Sequence, residues 1–272
     1  HSLDRRQRQM CIRDRGNLNS LTTGKVTLNK VEDGRANVTA LAAIDNADVD
    51  MSAAAVTITD AVTLAQAHTD VGNLNSLTTG KVTLNSVEDT YDNIQSIKLI
   101  SDDDVDMGDA AVKVTSVVDK TKVDDLRGDT TGDITVDSIS DNKTNLGLVN
   151  AFTDVSLAAA NISVTDVVTL AQANTIHTYN TAVGTTVTLS SVSDAFSNVE
   201  TLQGTAGVVM TGATITTTTA EAVTKANVTD LNKFTTAKVT VTSVQDSRSN
   251  VSDIAAIDLS LIHISEPTRP ID

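Results

Sequence analysis

The stretch KVTLNSVEDTYDNI, Lys81–Ile94, decides how the chain is read, because it returns four more times in altered form. Its relatives are KVTLNKVEDGRANV from Lys25, DITVDSISDNKTNL from Asp133, TVTLSSVSDAFSNV from Thr186 and KVTVTSVQDSRSNV from Lys238. The preceding residues repeat as well: GNLNSLTTGKVTLN stands unchanged at Gly16–Asn29 and at Gly72–Asn85. First apolar positions fall at Val26, Val82, Ile134, Val187 and Val239, a period of 52 to 56 residues. Such a period marks a repeat architecture, in which one unit cannot bury its apolar face without its neighbours.

Within the unit, Val-Thr-Leu-x-x-Val begins with the alternation of a strand rich in β-branched residues. It runs into an Asp present in every copy, followed four residues later by an Asn. The pairs are Asp33 with Asn37, Asp89 with Asn93, Asp141 with Asn145, Asp194 with Asn198 and Asp246 with Asn250. Aliphatic residues three apart follow, as in Ile94 with Ile97 and Val199 with Leu202. An Asp before that spacing predicts an N-capped short helix with one face on a core.

A second block lies between these: VDMSAAAVTIT from Val49, VDMGDAAVKVT from Val105, VSLAAANISVT from Val155 and VVMTGATITTT from Val208. It leads into DAVTLAQAH or DVVTLAQAN, where Asp60 and Asp166 are the expected caps. Strand and helix thus alternate roughly every 26 residues, the pattern of parallel strands joined by helical crossovers. The expected fold is a repeat solenoid of the α/β or β kind, elongated, with parallel strands stacked coil on coil. Nine or ten coils at about 4.8 Å each would make a stack on the order of 45 Å long. The array covers residues 16–258, with units at about 16–71, 72–123, 124–176 and 177–228 and a partial one at 229–258.

Both ends depart from this chemistry. RRQRQMCIRD, Arg5–Asp14, packs arginines and the one cysteine, Cys11, into an otherwise acidic chain, and LSLIHISEPTR, Leu259–Arg269, is followed by Pro270 and contains Pro267, the two prolines of the sequence. Both segments resemble the conceptual translation of transposase-type sequencing adaptors. That resemblance implies that residues 1–15 and 259–272 lie outside the fold and that the array is a slice of a longer protein. The alternative is a basic arm for phosphate groups at one end and a true strand at the other.

The net charge of −15 argues against a nucleic-acid partner, whose phosphates the surface would repel. No run of 18 apolar residues exists, so no membrane-inserted helix is expected. The interior must be filled with Val, Ile, Leu, Ala and Thr, since the sequence has no Trp, two Tyr and three Phe.

The Asp and Asn pairs read as architecture, a cap plus an Asn ladder, because every copy keeps them; a row of cation acceptors is the other reading. For calcium, the candidate ligands are Asp102, Asp103, Asp104, Asp106 and Asp109 in SDDDVDMGD, several hard oxygens in one loop. The sequence has neither Gly-Gly-x-Gly-x-Asp nonapeptides nor an EF-hand loop, and the matching loops of other copies hold fewer acids. A solvated acidic loop is the plainer reading. His68 and His177 do not match in position, which gives no zinc pattern. TTGK resembles a phosphate loop in two letters only, and no G-x-S-x-G elbow occurs. Thr-rich strands such as TITTTTAEA could present hydroxyls to ice or glycans, yet Thr is also an ordinary strand former.

On the blocks VTVTSVQDSRSNV and VTLAQANTI, residues 16–258 resemble the repetitive regions of very large bacterial secreted and cell-surface proteins of the RTX-associated adhesin type. The resemblance implies an extracellular stalk or adhesive array without catalysis. Its partners would be neighbouring repeats of the same parent, a surface glycan or another cell-surface protein. A calcium- or glycan-binding module is the alternative, and a polysaccharide-degrading solenoid enzyme is disfavoured by the even spread of Asp.

Overall fold

The computed structural model of the chain describes residues 26–42, 49–66, 78–100, 105–256 and 262–264. Asp102, Asp103 and Asp104 of the acidic loop, and His68, lie outside them. The architecture is α/β: a mostly parallel sheet whose strands alternate with short helices, and every strand pair among the described residues is parallel. The sheet is not closed.

The chain divides into two compact units, and the boundary runs through elements rather than between repeats. The first comprises residues up to Ser116 with Asp124–Thr135. Its strands are β1 (Val26–Thr27), β2 (Lys30–Asp33), β3 (Val49–Asp50), β4 (Ala55–Val62), β5 (Val82–Asp89), β6 (Val105–Asp106) and most of β7 (Ala111–Val118). They alternate with α1 (Arg35–Ala42), α2 (Leu64–Gln66), α3 (Tyr91–Lys98) and the second half of α4 (Lys120–Asp129). The order is β2-β4-β5-β7, with β6 beside β5 and β1 paired to β3.

The second unit holds Val117–Val123 and the chain from Val136. It contains most of β8 (Ile134–Asp141), then β9 (Val155–Ser156), β10 (Asn161–Val168), β11 (Val187–Asp194), β12 (Val208–Val209), β13 (Thr214–Thr217), β14 (Val239–Val241) and β15 (Ile262–Ile264). Its helices are the first part of α4, then α5 (Lys143–Asn150), α6 (Leu170–His177), α7 (Phe196–Gln203), α8 (Lys225–Phe234) and α9 (Arg248–Ala256). The order is β8-β10-β11-β13-β14-β15, with β9 beside β8 and β12 beside β11.

Burial explains both element types. In β11, Val187 and Leu189 point inward two apart, and the next inward residue, Val192, comes three later. That step matches an irregularity in the pairing with β10 between Val164 and Val167. Between those points β10 advances three residues and β11 two, so β10 carries the extra residue of a bulge, and the apolar residues Val168 and Val192 beyond it are again inward. Five of the helices bury residues three apart: Ile94 and Ile97 in α3, Leu146 and Val149 in α5, Ala173 and Ile176 in α6, Val199 and Leu202 in α7, Val228 and Leu231 in α8. At about two turns, none of these helices would persist in water alone, so packing on the strands holds them.

Ile262–Ile264, in the adaptor-like segment, pairs with β14 through Val239↔Ile262, Thr240↔His263 and Val241↔Ile264. The same pairing joins β1 to β3 (Val26↔Val49) and β5 to β6 (Val82↔Val105), again 23 residues apart. An apolar-polar-apolar triplet at that distance takes the short-strand position whatever its origin.

Candidate functional site

The recurring Asp stands at the end of its strand in four copies and five residues past β14 in the fifth, Asp246, and in four of the copies it bonds in two directions. In the second unit, Asp194 Oδ1 accepts from the Ala195 N–H at 2.8 Å and the Asn198 amide at 2.8 Å. Its Oδ2 accepts the N–H of Leu170, first residue of the preceding helix α6, at 2.9 Å. Asp141 does the same with Asn142, Asn145 and Lys120, and Asp246 with Ser247, Asn250 and Lys225. In the first unit, Asp89 bonds Thr90, Asn93 and Leu64. Asp33 Oδ1 takes the Gly34 N–H and the Asn37 amide.

The expectation that these Asp residues are N-caps is corrected by one position. The caps are Thr90, Asn142 and Ala195, the residues that follow, and the Thr90 and Asn142 side chains accept from the N–H three residues on. Asp60 and Asp166 are likewise not caps of the helices after them. α6 is capped by Thr169 in a capping box with Gln172. Asp60 instead accepts the Arg35 N–H at 2.6 Å and Asp166 the Lys143 N–H at 2.9 Å, both in the first turn of the helix before. Ser116 accepts from Tyr91 and Glu221 from Ser197 in the same manner. An acceptor on the following strand, or just past it in the case of Glu221, thus satisfies first-turn N–H groups that no residue of the helix itself can reach.

These bonds set the charge state. Burial raises the Asp194 carboxyl, but the Asn198 amide and the N–H groups of Leu170 and Ala195 outweigh it and hold the group below its ordinary value. Asp89 follows the same balance, with Leu64, Asn93 and Thr90 against burial. At Asp166 burial is again outweighed, here by Lys143 through its ammonium and its N–H. Asp246 is lowered by the Lys225 N–H, the Asn250 amide and the Ser247 N–H. A carboxylate accepting several N–H bonds is stabilised in its charged form, the form an acceptor requires.

The described part of the acidic loop is occupied by protein partners. Asp106 accepts from the Gly108 N–H at 2.9 Å and pairs with Lys81 at 2.9 Å. The Lys81 bond, then the Gly108 N–H, keep its carboxyl low against burial. Asp109 accepts from Thr131 Oγ1 at 2.6 Å. Among the described residues no group of three or more His, Cys, Asp or Glu is placed to hold a metal ion.

A second polar series escapes a reading of the sequence. Thr78, Thr130 and Thr235 are buried, and each hydroxyl donates to a backbone carbonyl, of Ala54, Ala110 and Ala213 respectively, at 2.5 to 2.6 Å. Each also accepts the N–H two residues on, of Gly80, Gly132 or Ala237, at 2.9 Å. Asn180 takes the fourth place, its amide donating to Ala160 and Thr186. The signal is the Thr-Thr-Gly that resembles a phosphate loop; its recurrence with the repeat is the better clue. Lys81, after the first of these turns, pairs with Asp106.

A further polar cluster lies in the first unit between α3 and α4. Asp129, its side chain 2% exposed, accepts from Gln95 at 2.5 Å and from Lys98. Tyr91 donates to Asp125 at 2.9 Å. Burial, the Asp125 bond and the surrounding carboxylates push the Tyr91 phenol up to about 12.

Apart from Asn180 Oδ1, which is buried without a hydrogen-bond partner, these groups find their partners inside the protein, an arrangement suited to holding chain segments together. Compared with known proteins, the chain matches no family model, no curated protein and no solved structure.

Proposed function

We propose that the chain is a non-catalytic repeat module, a solenoid of parallel strands and short helical crossovers. Its role is that of a stalk or adhesive segment in a large bacterial extracellular or cell-surface protein. One observation carries this reading: a first-turn N–H of each helix from α1 to α8 is accepted by a side chain 21 to 25 residues further along, on the following strand or, for Glu221 and Asp246, a few residues past it. Each strand and helix pair is completed by its successor, which is what a stacked array requires and a free-standing site does not. The sequence resemblance to adhesin repeat regions supplies the extracellular setting, with neighbouring repeats, a glycan or a surface protein as partners.

Deletion of one whole repeat tests it. Removing Val187–Lys238 joins Thr186 to Val239, the equivalent strand start. A stack loses one unit and keeps a cooperative, less stable melt. Collapse to a molten or unfolded chain would contradict the array reading. Calcium is assigned no part in this function, since Asp106 and Asp109 bond Lys81, Gly108 and Thr131. Millimolar calcium accordingly leaves the melting temperature unchanged; a saturable rise would instead favour a calcium-dependent adhesin.

A further inference from the structure

The turn from α6 into β11 is built unlike its counterparts. After buried Thr78, Thr130 and Thr235, the next strand starts four residues later, at Val82, Ile134 and Val239. After buried Asn180 it starts seven later, at Val187, so three residues have been added. The inserted turn is pinned at both bases. Thr181 and Ala182 donate their N–H groups to the Ala158 carbonyl at 2.9 and 2.8 Å, and Thr186 donates to Asn161 Oδ1 at 3.1 Å.

Its tip, Val183–Gly184, is the opposite. Gly184 has φ of +90°, which favours glycine, and a Cβ placed there would meet nothing within 4 Å. Val183 is fully exposed, a branched aliphatic residue held out in water on a turn closed by the Thr185 N–H to Ala182 carbonyl bond at 3.4 Å. Neither tip N–H has a hydrogen-bond partner among the described residues. Exposed tips of small residues are where proteases enter folded chains.

We propose that this turn is a processing site for serine proteases of the elastase type, whose small apolar pocket selects a short aliphatic residue before the scissile bond. The bond broken is Val183–Gly184. Water supplies the hydroxyl to the new Val183 carboxylate and a proton to the new Gly184 amine. β10 and β11, on either side of the cut, stay paired through Ile162↔Val187, Ser163↔Thr188 and Val164↔Leu189. The nicked protein therefore remains one particle while its covalent chain is interrupted.

Limited digestion of the full chain with pancreatic elastase, followed by mass spectrometry, is the test. Within residues 105–256 the first cut falls after Val183, and the two products co-elute on native size exclusion. In Val183→Asp the cut slows by about tenfold or more, because the pocket excludes a charged side chain, while the melting temperature is unchanged. A first cut elsewhere in 105–256, or an equal rate in the variant, overturns the assignment. Products that separate under native conditions overturn the claim that the particle survives.

Discussion

Among single residues, a few buried hydroxyls stand within an otherwise aliphatic core. Thr130 satisfies two backbone groups at once, the Ala110 carbonyl at 2.6 Å and the Gly132 N–H at 2.9 Å. Thr130→Val keeps the shape and strands both groups, and leaving a buried polar group unsatisfied costs on the order of 1–3 kcal/mol. The expected loss is about 2 kcal/mol in denaturant unfolding. The adjacent Thr131 is exposed, and Thr131→Val is expected to cost under about 1 kcal/mol. Equal costs would show that burial is not what makes Thr130 matter. From sequence alone the two threonines are indistinguishable, because only the fold puts one inside. The Asp is legible as recurring and polar, but its second bond is not. A partner 21 to 25 residues away follows from strand pairing, which spacing within one unit cannot display.

Elements show a similar mixture. Strands are legible because Val-Thr-Leu alternates, and helices because aliphatics recur three apart; both patterns survive as the inward faces of β11 and α7. Helix starts fall one residue later than the Asp predicts. Asp is a strong cap former, yet here its carboxylate is drawn to the preceding helix, and the following Thr or Asn caps instead. α7 is the exception that permits a test, since its cap is Ala195 with no side-chain bond, although its backbone has the extended conformation of the other caps, φ −60° and ψ 152°. Ala195→Thr places a hydroxyl where Thr90 has one and should stabilise the protein by about 1 kcal/mol. A chemical-denaturation midpoint that stays still or falls would mean that the cap position is not free to accept it. The short strand β15 is not foreseeable from the tail's letters, because a segment set aside as adaptor-like still offers the alternation that β14 pairs with.

For the molecule as a whole, acid is the informative perturbation. The Asp89, Asp166, Asp194 and Asp246 carboxyls lie below their ordinary value in the folded state. A depressed folded value means that their contribution is fully present above the unfolded pKa of about 3.9. It is lost as pH falls through the lower folded values, when protonation removes the acceptors. The melting temperature should therefore hold from neutral pH to about pH 5 and decline below about pH 4. A net charge of −15 becomes less negative over the same range, which relieves repulsion and works against the decline. A fall despite that relief would show that losing the carboxylate bonds outweighs it.

The most direct test of the claim that each strand's Asp completes the helix before it is the melting temperature of Asp194→Asn against the parent chain, at pH 7 and at pH 3. An amide can still accept from Ala195 and Asn198 through its oxygen, but it turns an NH2 toward the Leu170 N–H that Oδ2 accepted at 2.9 Å. The variant should melt lower at pH 7, by the equivalent of about 1–3 kcal/mol, with a gap that narrows at pH 3 as the parent's own carboxyl protonates. Identical melting at pH 7, or a gap that does not change with pH, would contradict the claim.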